Sequence, residues 1–187
     1  MSFGLRHVAP ALPDFLAAYP EVICGVQLDD RMVDLVAGGI DVAMRIADLP
    51  DSSLIARRLC PGRRWVVGAP DYFARHGTPL RPRDLREHAC LGYAHLASGE
   101  TWRFTDPEGA EEAVAVKGPL CALGSALEAK LGIALQPDFL VWDALQEGRL
   151  VAVLDNWAAP TLALHPVILA GGPRPIRVAV LLVSHQA

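Results

Sequence analysis

Residues 33–59, VDLVAGGIDVAMRIADLPDSSLIARRL, constrain the fold more than any other stretch of the chain. Val33, Leu35, Val36 and Ile40 recur at roughly helical spacing. The pair Gly38-Gly39 closes that helix, as the left-handed residue after a last turn favours glycine. Val42, Met44 and Ile46 then alternate like a half-buried strand, the polar loop 48–53 follows, and residues 54–59 form a second extended run. Helix, strand, loop and strand in so short a unit predict an open α/β sheet. Arg45 is expected at the exit of the first strand. Ligands of open α/β sheets collect beyond the carboxyl ends of strands, so a guanidinium there can hold a small anion. The competing reading is a surface ion pair.

The flanking chain continues the pattern. Residues 1–19 read as a helix with Leu5, Val8, Leu12, Phe15 and Leu16 on one face and Ser2 at the capping position. Pro10 and Pro13 predict a kink or a late start. Residues 21–28 read as a strand, and Asp29 or Asp30 caps a helix starting near Arg31. Past Ala69-Pro70-Asp71 the text changes to short helices (71–76, 80–88), strands (90–93, 101–104, 113–116) and a turn at Asp106-Pro107-Glu108-Gly109. A short helix at 123–130, a strand at 132–135, a helix at 138–147 ending at Gly148, and strands at 150–154 and within 160–170 complete the reading.

Composition narrows the function classes. The 187 residues, 52% hydrophobic, suffice for one large domain or two small subdomains. No apolar run reaches membrane-spanning length, and the first residues lack the pattern of a secretion signal, so the expected compartment is the cytoplasm. A net charge of −4 is the wrong sign for a chain whose main task is to neutralise phosphates. Arg81, Arg83 and Arg86, interrupted by Asp84 and Glu87, read as the solvated face of a short helix. The four cysteines, Cys24, Cys60, Cys90 and Cys121, form no Cys-x-x-Cys pair and are expected to be free and mostly buried. The six histidines show no metal-ligand spacing. With no nucleophile elbow, P-loop, dinucleotide fingerprint or zinc-protease motif, no catalytic residue, metal or cofactor is expected, and the chain does not read as an enzyme.

Several collinear segments carry a family likeness. They are Phe3-Gly4-Leu5-Arg6-His7 leading to Leu12-Pro13-Asp14-Phe15, Tyr19-Pro20-Glu21-Val22, and the Gly39-Ile40-Asp41-Val42-Ala43-Met44-Arg45-Ile46 run. Leu49-Pro50-Asp51-Ser52-Ser53-Leu54 with Arg57-Arg58, Tyr72-Phe73-Ala74-Arg75-His76-Gly77, and Leu131-Gly132-Ile133-Ala134-Leu135-Gln136-Pro137-Asp138-Phe139 complete the set. Over nearly its whole length the chain resembles the effector-binding (substrate-binding) domain of LysR-type bacterial transcriptional regulators.

That resemblance implies a type 2 periplasmic-binding-protein-like α/β fold of two subdomains joined by two crossover segments. Residues 1–61 plus 160–187 would form subdomain I and 62–159 subdomain II, with an effector in a hollow between them and a helix at 175–183 returning to the first subdomain. Ser2 and Phe3 match a helix start that holds the effector in the family; from the residues alone Ser2 is a helix cap. Gly124 and Ser125 are the equivalent start in subdomain II. Asp30 either accepts from an effector hydroxyl or caps its helix, and His95, Ser98 and Gly99 are rim contacts. The effector implied is a small molecule, an organic acid by the argument for Arg45.

Against the family pattern, the winged helix-turn-helix, the linker helix and the first strand of the sheet are missing, and 121–130 is about one turn short. DNA binding is thus expected only through an absent segment, and self-association or association with intact regulators is implied. The rival readings are a free-standing solute-binding protein and a regulatory remnant acting through intact regulators.

Overall fold

A computed structural model describes residues 2–29, 33–47, 55–56, 60–93, 101–118, 121–122 and 131–168. In chain order the elements are α1 (Leu12–Ala18), β1 (Ala43–Ala47), β2 (Ile55–Ala56), β3 (Cys60–Gly62), β4 (Arg64–Gly68), α2 (Pro70–His76), β5 (Cys90–Tyr93), β6 (Thr101–Thr105), β7 (Glu111–Ala115), β8 (Cys121–Ala122), β9 (Ile133–Pro137), α3 (Asp138–Gln146), β10 (Val151–Val153) and β11 (Leu162–Ile168). The chain divides into two compact units, Met1–Pro61 with Ala163–Ala187, and Gly62–Leu162. The segments expected as helices at 123–130 and 175–183 lie outside the described residues.

In the first unit the chain is helical from Ser2, so no late start occurs. Instead its hydrogen bonding changes register around Pro10, with a π turn at Gly4–Val8, a 3-10 turn at Ala9–Ala11 and α1 thereafter. Proline removes one N–H and crowds the carbonyl four residues back, and a wide turn followed by a tight one relieves both. Such changes in turn width rotate the start of the helix relative to α1. Phe15 is accordingly buried while Leu5, expected on the same face, is 55% exposed.

β1 runs antiparallel to β11, pairing Ala43 with Val167, Arg45 with His165 and Ala47 with Ala163. β11 also pairs with β2 and β3. The strand expected at 21–28 does not form: residues 22–29 carry no regular structure, and Ile23 is 94% exposed. β-branched residues favour strands only where a ladder and a packed face receive them, and among the described residues no strand pairs with this segment. Leu28 packs against Gly4, where a methyl group would collide with its side chain.

The helix expected over 31–40 is, in its described part, one capped turn. Asp34 Oδ1 accepts the N–H groups of Val36 (2.8 Å) and Ala37 (3.2 Å), so Asp34 caps this turn. Gly39 at φ +60° ends the turn, with Ile40 N–H on Leu35 O (2.9 Å) and Gly39 N–H on Val36 O (3.2 Å). This doubly bonded ending is what Gly38-Gly39 predicts.

The second unit is a mixed sheet ordered β10-β4-β9-β5-β8, plus the β6–β7 hairpin. β4 and β9 are antiparallel, β9 and β5 parallel. Alternate residues of β4 serve two cores, as befits a central strand. Val67 meets Val141 and Ala144 of α3, while Val66 joins Tyr72, Phe73, Phe104 and Ile133 on the other side. The hairpin turn falls where expected: Asp106 Oδ1 accepts from Glu108 (2.9 Å) and Ala110 (2.8 Å), and Gly109 takes φ +89°. The helix expected over 80–88 is a 3-10 segment, Pro82–Glu87. Asp84 Oδ2 bonds back to the N–H groups of Leu80 and Arg81, both 2.9 Å, which tightens the turn from its first residue. α3 stops before Gly148 at φ +69°, as expected.

Candidate functional site

Arg45 lies in the middle of β1, not at its exit. The strand continues to Ala47 because β11 extends far enough to pair with it. Its guanidinium is half-buried and donates to the carbonyl oxygen of Val33 at 3.0 Å, which ties the start of the capped turn to the sheet. A guanidinium carries five N–H donors, so this bond leaves others for a carboxylate. Directly across the ladder stands His165, whose Nδ1 is buried with no hydrogen-bond partner. Sequence reasoning passed over His165. Its signal is the register of two strands far apart in sequence, which one sequence does not display.

Ser2 sits inside the helical run rather than ahead of it, so the cap role read for it is not the one it holds. The ring of Phe3 lies 5.0 Å from that of His7, tilted by 33°. Asp30, Gly124, Ser125, His95, Ser98 and Gly99 lie outside the described residues.

The second unit holds two polar groupings. Tyr72 receives the Ala89 N–H on its phenol oxygen (3.0 Å) and stands 3.3 Å from Nδ1 of buried His88, while His76 stacks on its ring at 4.6 Å. Desolvation, then the nearby His76, holds the His88 pKa below its ordinary value, against the opposing pull of Asp84 and Glu87. Burial raises the Tyr72 phenol, partly offset by the Ala89 hydrogen bond. In the other grouping Arg63 stacks 3.7 Å above Trp65, and Asp138 accepts the Arg63 N–H at 3.1 Å. Trp65 Nε1 is, like His165 Nδ1, buried without a partner.

Cys90 is buried, and burial pushes its thiol up to about 12, so it is inert as a nucleophile. Cys24, by contrast with the expectation of burial, is exposed, because it belongs to the extended segment that joins no sheet. Among the described residues no group of three or more His, Cys, Asp or Glu side chains could hold a metal ion. No described helix is long and apolar enough to cross a membrane.

Residues 1–183 match the family model of the LysR substrate binding domain. The chain is 34% identical over 159 residues to the probable HTH-type transcriptional regulator LtrA of Klebsiella pneumoniae, covering 82% of this chain and 51% of that protein. It is 31% identical over 180 residues to an uncharacterized HTH-type transcriptional regulator of Haemophilus influenzae, covering 94% and 62%. The chain thus spans between half and two thirds of these relatives. Among solved structures, the regulatory domain of CrgA, a LysR-type transcriptional regulator from Neisseria meningitidis, superposes with a TM-score of 0.84 at 28% identity, covering 99% of this chain and 93% of that one.

Proposed function

The chain belongs to the LysR substrate-binding domain family, and on that premise we propose that it is the effector-sensing part of a bacterial transcriptional regulator, with a small carboxylated metabolite as effector. Its fold is of the type 2 periplasmic-binding-protein-like class. Its relatives are named as regulators, not enzymes. The match across residues 1–183 is the observation that carries the sensing role.

The carboxylate rests on Arg45. A guanidinium anchored by one backbone bond at the centre of a strand is pre-positioned, and its remaining donors suit the two oxygens of a carboxylate. Ser2 and Phe3, with Asp30, Gly124 and Ser125, are the further contacts that the family pattern suggests. Sensing requires the effector to bind one conformational state better than another, since equal affinity shifts no equilibrium. In this reading the regulator works in the cytoplasm, touches DNA through a helix-turn-helix like those for which the relatives are named, and self-associates.

The test is a thermal-shift screen with acetate, propionate and succinate, followed by titration of wild type and Arg45→Ala. A ligand that binds only the folded chain raises the melting midpoint by mass action. The reading expects stabilisation by a carboxylate and a loss of about 1.5–3 kcal/mol of affinity in Arg45→Ala, the range of a hydrogen bond to a charged group. An equal dissociation constant in the variant rejects Arg45 as the anchor.

A further inference from the structure

We propose that His165 is a second effector-contacting residue beside Arg45, and that the pair selects a 2-hydroxycarboxylate. The inference rests on the carboxylate reading of Arg45 and adds the identity of the second group that the effector must carry.

β1 reads Ala-Met-Arg-Ile-Ala and β11 reads Leu-Ala-Leu-His-Pro-Val-Ile. Arg45 and His165 are the only polar side chains in these two strands, and the register sets them directly opposite each other. Opposed residues of an antiparallel pair project from the same face, with Cβ atoms about 4.5–5.5 Å apart. On that face their neighbours along the strands are Ala43, Ala163 and Val167, all short, while Met44, Ile46, Leu164 and Pro166 occupy the reverse face. The two polar groups therefore share one face of the sheet with short apolar neighbours, of which Ala163 and Val167 are buried.

Buried polar atoms are nearly always hydrogen-bonded, so His165 Nδ1, without a partner, calls for a reason. Arg45 does not supply the bond, although only one of its donors is directed to Val33. A neutral imidazole has one donor and one acceptor nitrogen. Beside a guanidinium that takes a carboxylate, the acceptor suits a hydroxyl on the neighbouring carbon. His165 as a whole is half-buried. A half-turn about its Cβ–Cγ bond exchanges Nδ1 with Cδ2, a motion this torsion allows, and the proposal requires that turn for the nitrogen to meet a ligand.

The experiment compares glycolate with acetate, lactate with propionate, and malate with succinate, by titration of the full 187-residue chain. At least one hydroxy acid is expected to bind wild type five- to tenfold more tightly than its deoxy partner, the order of one net hydrogen bond. His165→Phe should erase that preference, and His165→Gln, which retains an acceptor, should restore part of it. Circular dichroism checks that each variant is folded. Wild type with no preference in any pair overturns the proposal whether or not the variants fold, as does a preference that survives in folded His165→Phe. If no acid of either set binds, the carboxylate reading of Arg45 fails with it; if the acids bind with no preference for the hydroxy member of any pair, that reading stands and this inference falls.

Discussion

Tyr72 and His88 share a polar contact of 3.3 Å inside the second unit, although Tyr72 otherwise packs among apolar side chains. The phenol oxygen also accepts the Ala89 N–H and keeps a second lone pair, so the direction of its contact with Nδ1 is set by the imidazole tautomer. Charging His88 there is disfavoured because its ring is buried and His76 lies nearby.

Stability should therefore fall on mild acidification. The folded pKa of His88 lies below the ordinary histidine value of 6.5, chiefly through desolvation. Above 6.5 the contribution is complete, and it is lost as pH falls from there through the folded value, because the unfolded chain takes up the proton first. Urea midpoints at pH 7.5 and 5.5 should drop for wild type and drop less for His88→Gln. An equal drop would remove His88 as the cause. Asp84 acts in a separate window: its carboxyl is held low by the Arg81 and Leu80 N–H groups, so its support is present above 3.8 and fades only below that pH.

The turn at 34–40 offers a test of local structure. Gly39→Ala forces a side chain into a left-handed backbone and should cost roughly 1–2 kcal/mol. Asp34→Ala removes the acceptor for two N–H groups and should cost about 1 kcal/mol. Denaturation of the single variants measures both. A neutral Gly39→Ala would mean that the turn does not need its left-handed residue.

These positions also mark what the sequence could reveal. Signals carried by a few neighbouring residues were legible: the glycine ending at Gly39, the Asp106–Gly109 turn, the strand at Ala43–Ala47 and the helix stopped by Gly148. Signals that depend on a distant partner were not. Residues 21–28 have strand composition but no described strand to pair with, and Leu5 left its expected face because of the wide turn before Pro10. The candidate site shows the same division. Arg45 stands out locally, while His165 becomes its neighbour only through the register of β1 with β11.

Among the described residues of the second unit, Gly132 and Gly118 should be the glycines least tolerant of an added methyl group. A methyl group on Gly132 would overlap the carbonyl oxygen of Ala89, which is fixed by the 2.8 Å bond from Ile133 N–H. On Gly118 it would overlap the carbonyl of Cys90. Backbone cannot swing aside as a side chain can, so each substitution to Ala should cost about 1–3 kcal/mol, the range for overpacking. At Gly68 the obstacle is the ring of Phe73, at 2.8 Å, which has more freedom to shift. Chemical denaturation of the three variants should rank Gly68→Ala as the mildest, and the reverse order would refute the distinction.

Duplex DNA provides the last expectation. Phosphate contacts supply most non-specific affinity, and they require clustered positive charge. Here 17 basic residues stand against 21 acidic ones. The local cluster Arg81, Arg83 and Arg86 is exposed but interrupted by Asp84 and Glu87, and Asp84 also serves the turn through its bonds to Leu80 and Arg81. This face presents alternating signs rather than a track. Fluorescence anisotropy at physiological salt should find binding by this chain no tighter than the roughly 10⁻⁴–10⁻⁶ M of non-specific association. Sequence-selective retention of a promoter fragment at nanomolar concentration would contradict the assignment of this chain to sensing rather than to DNA contact.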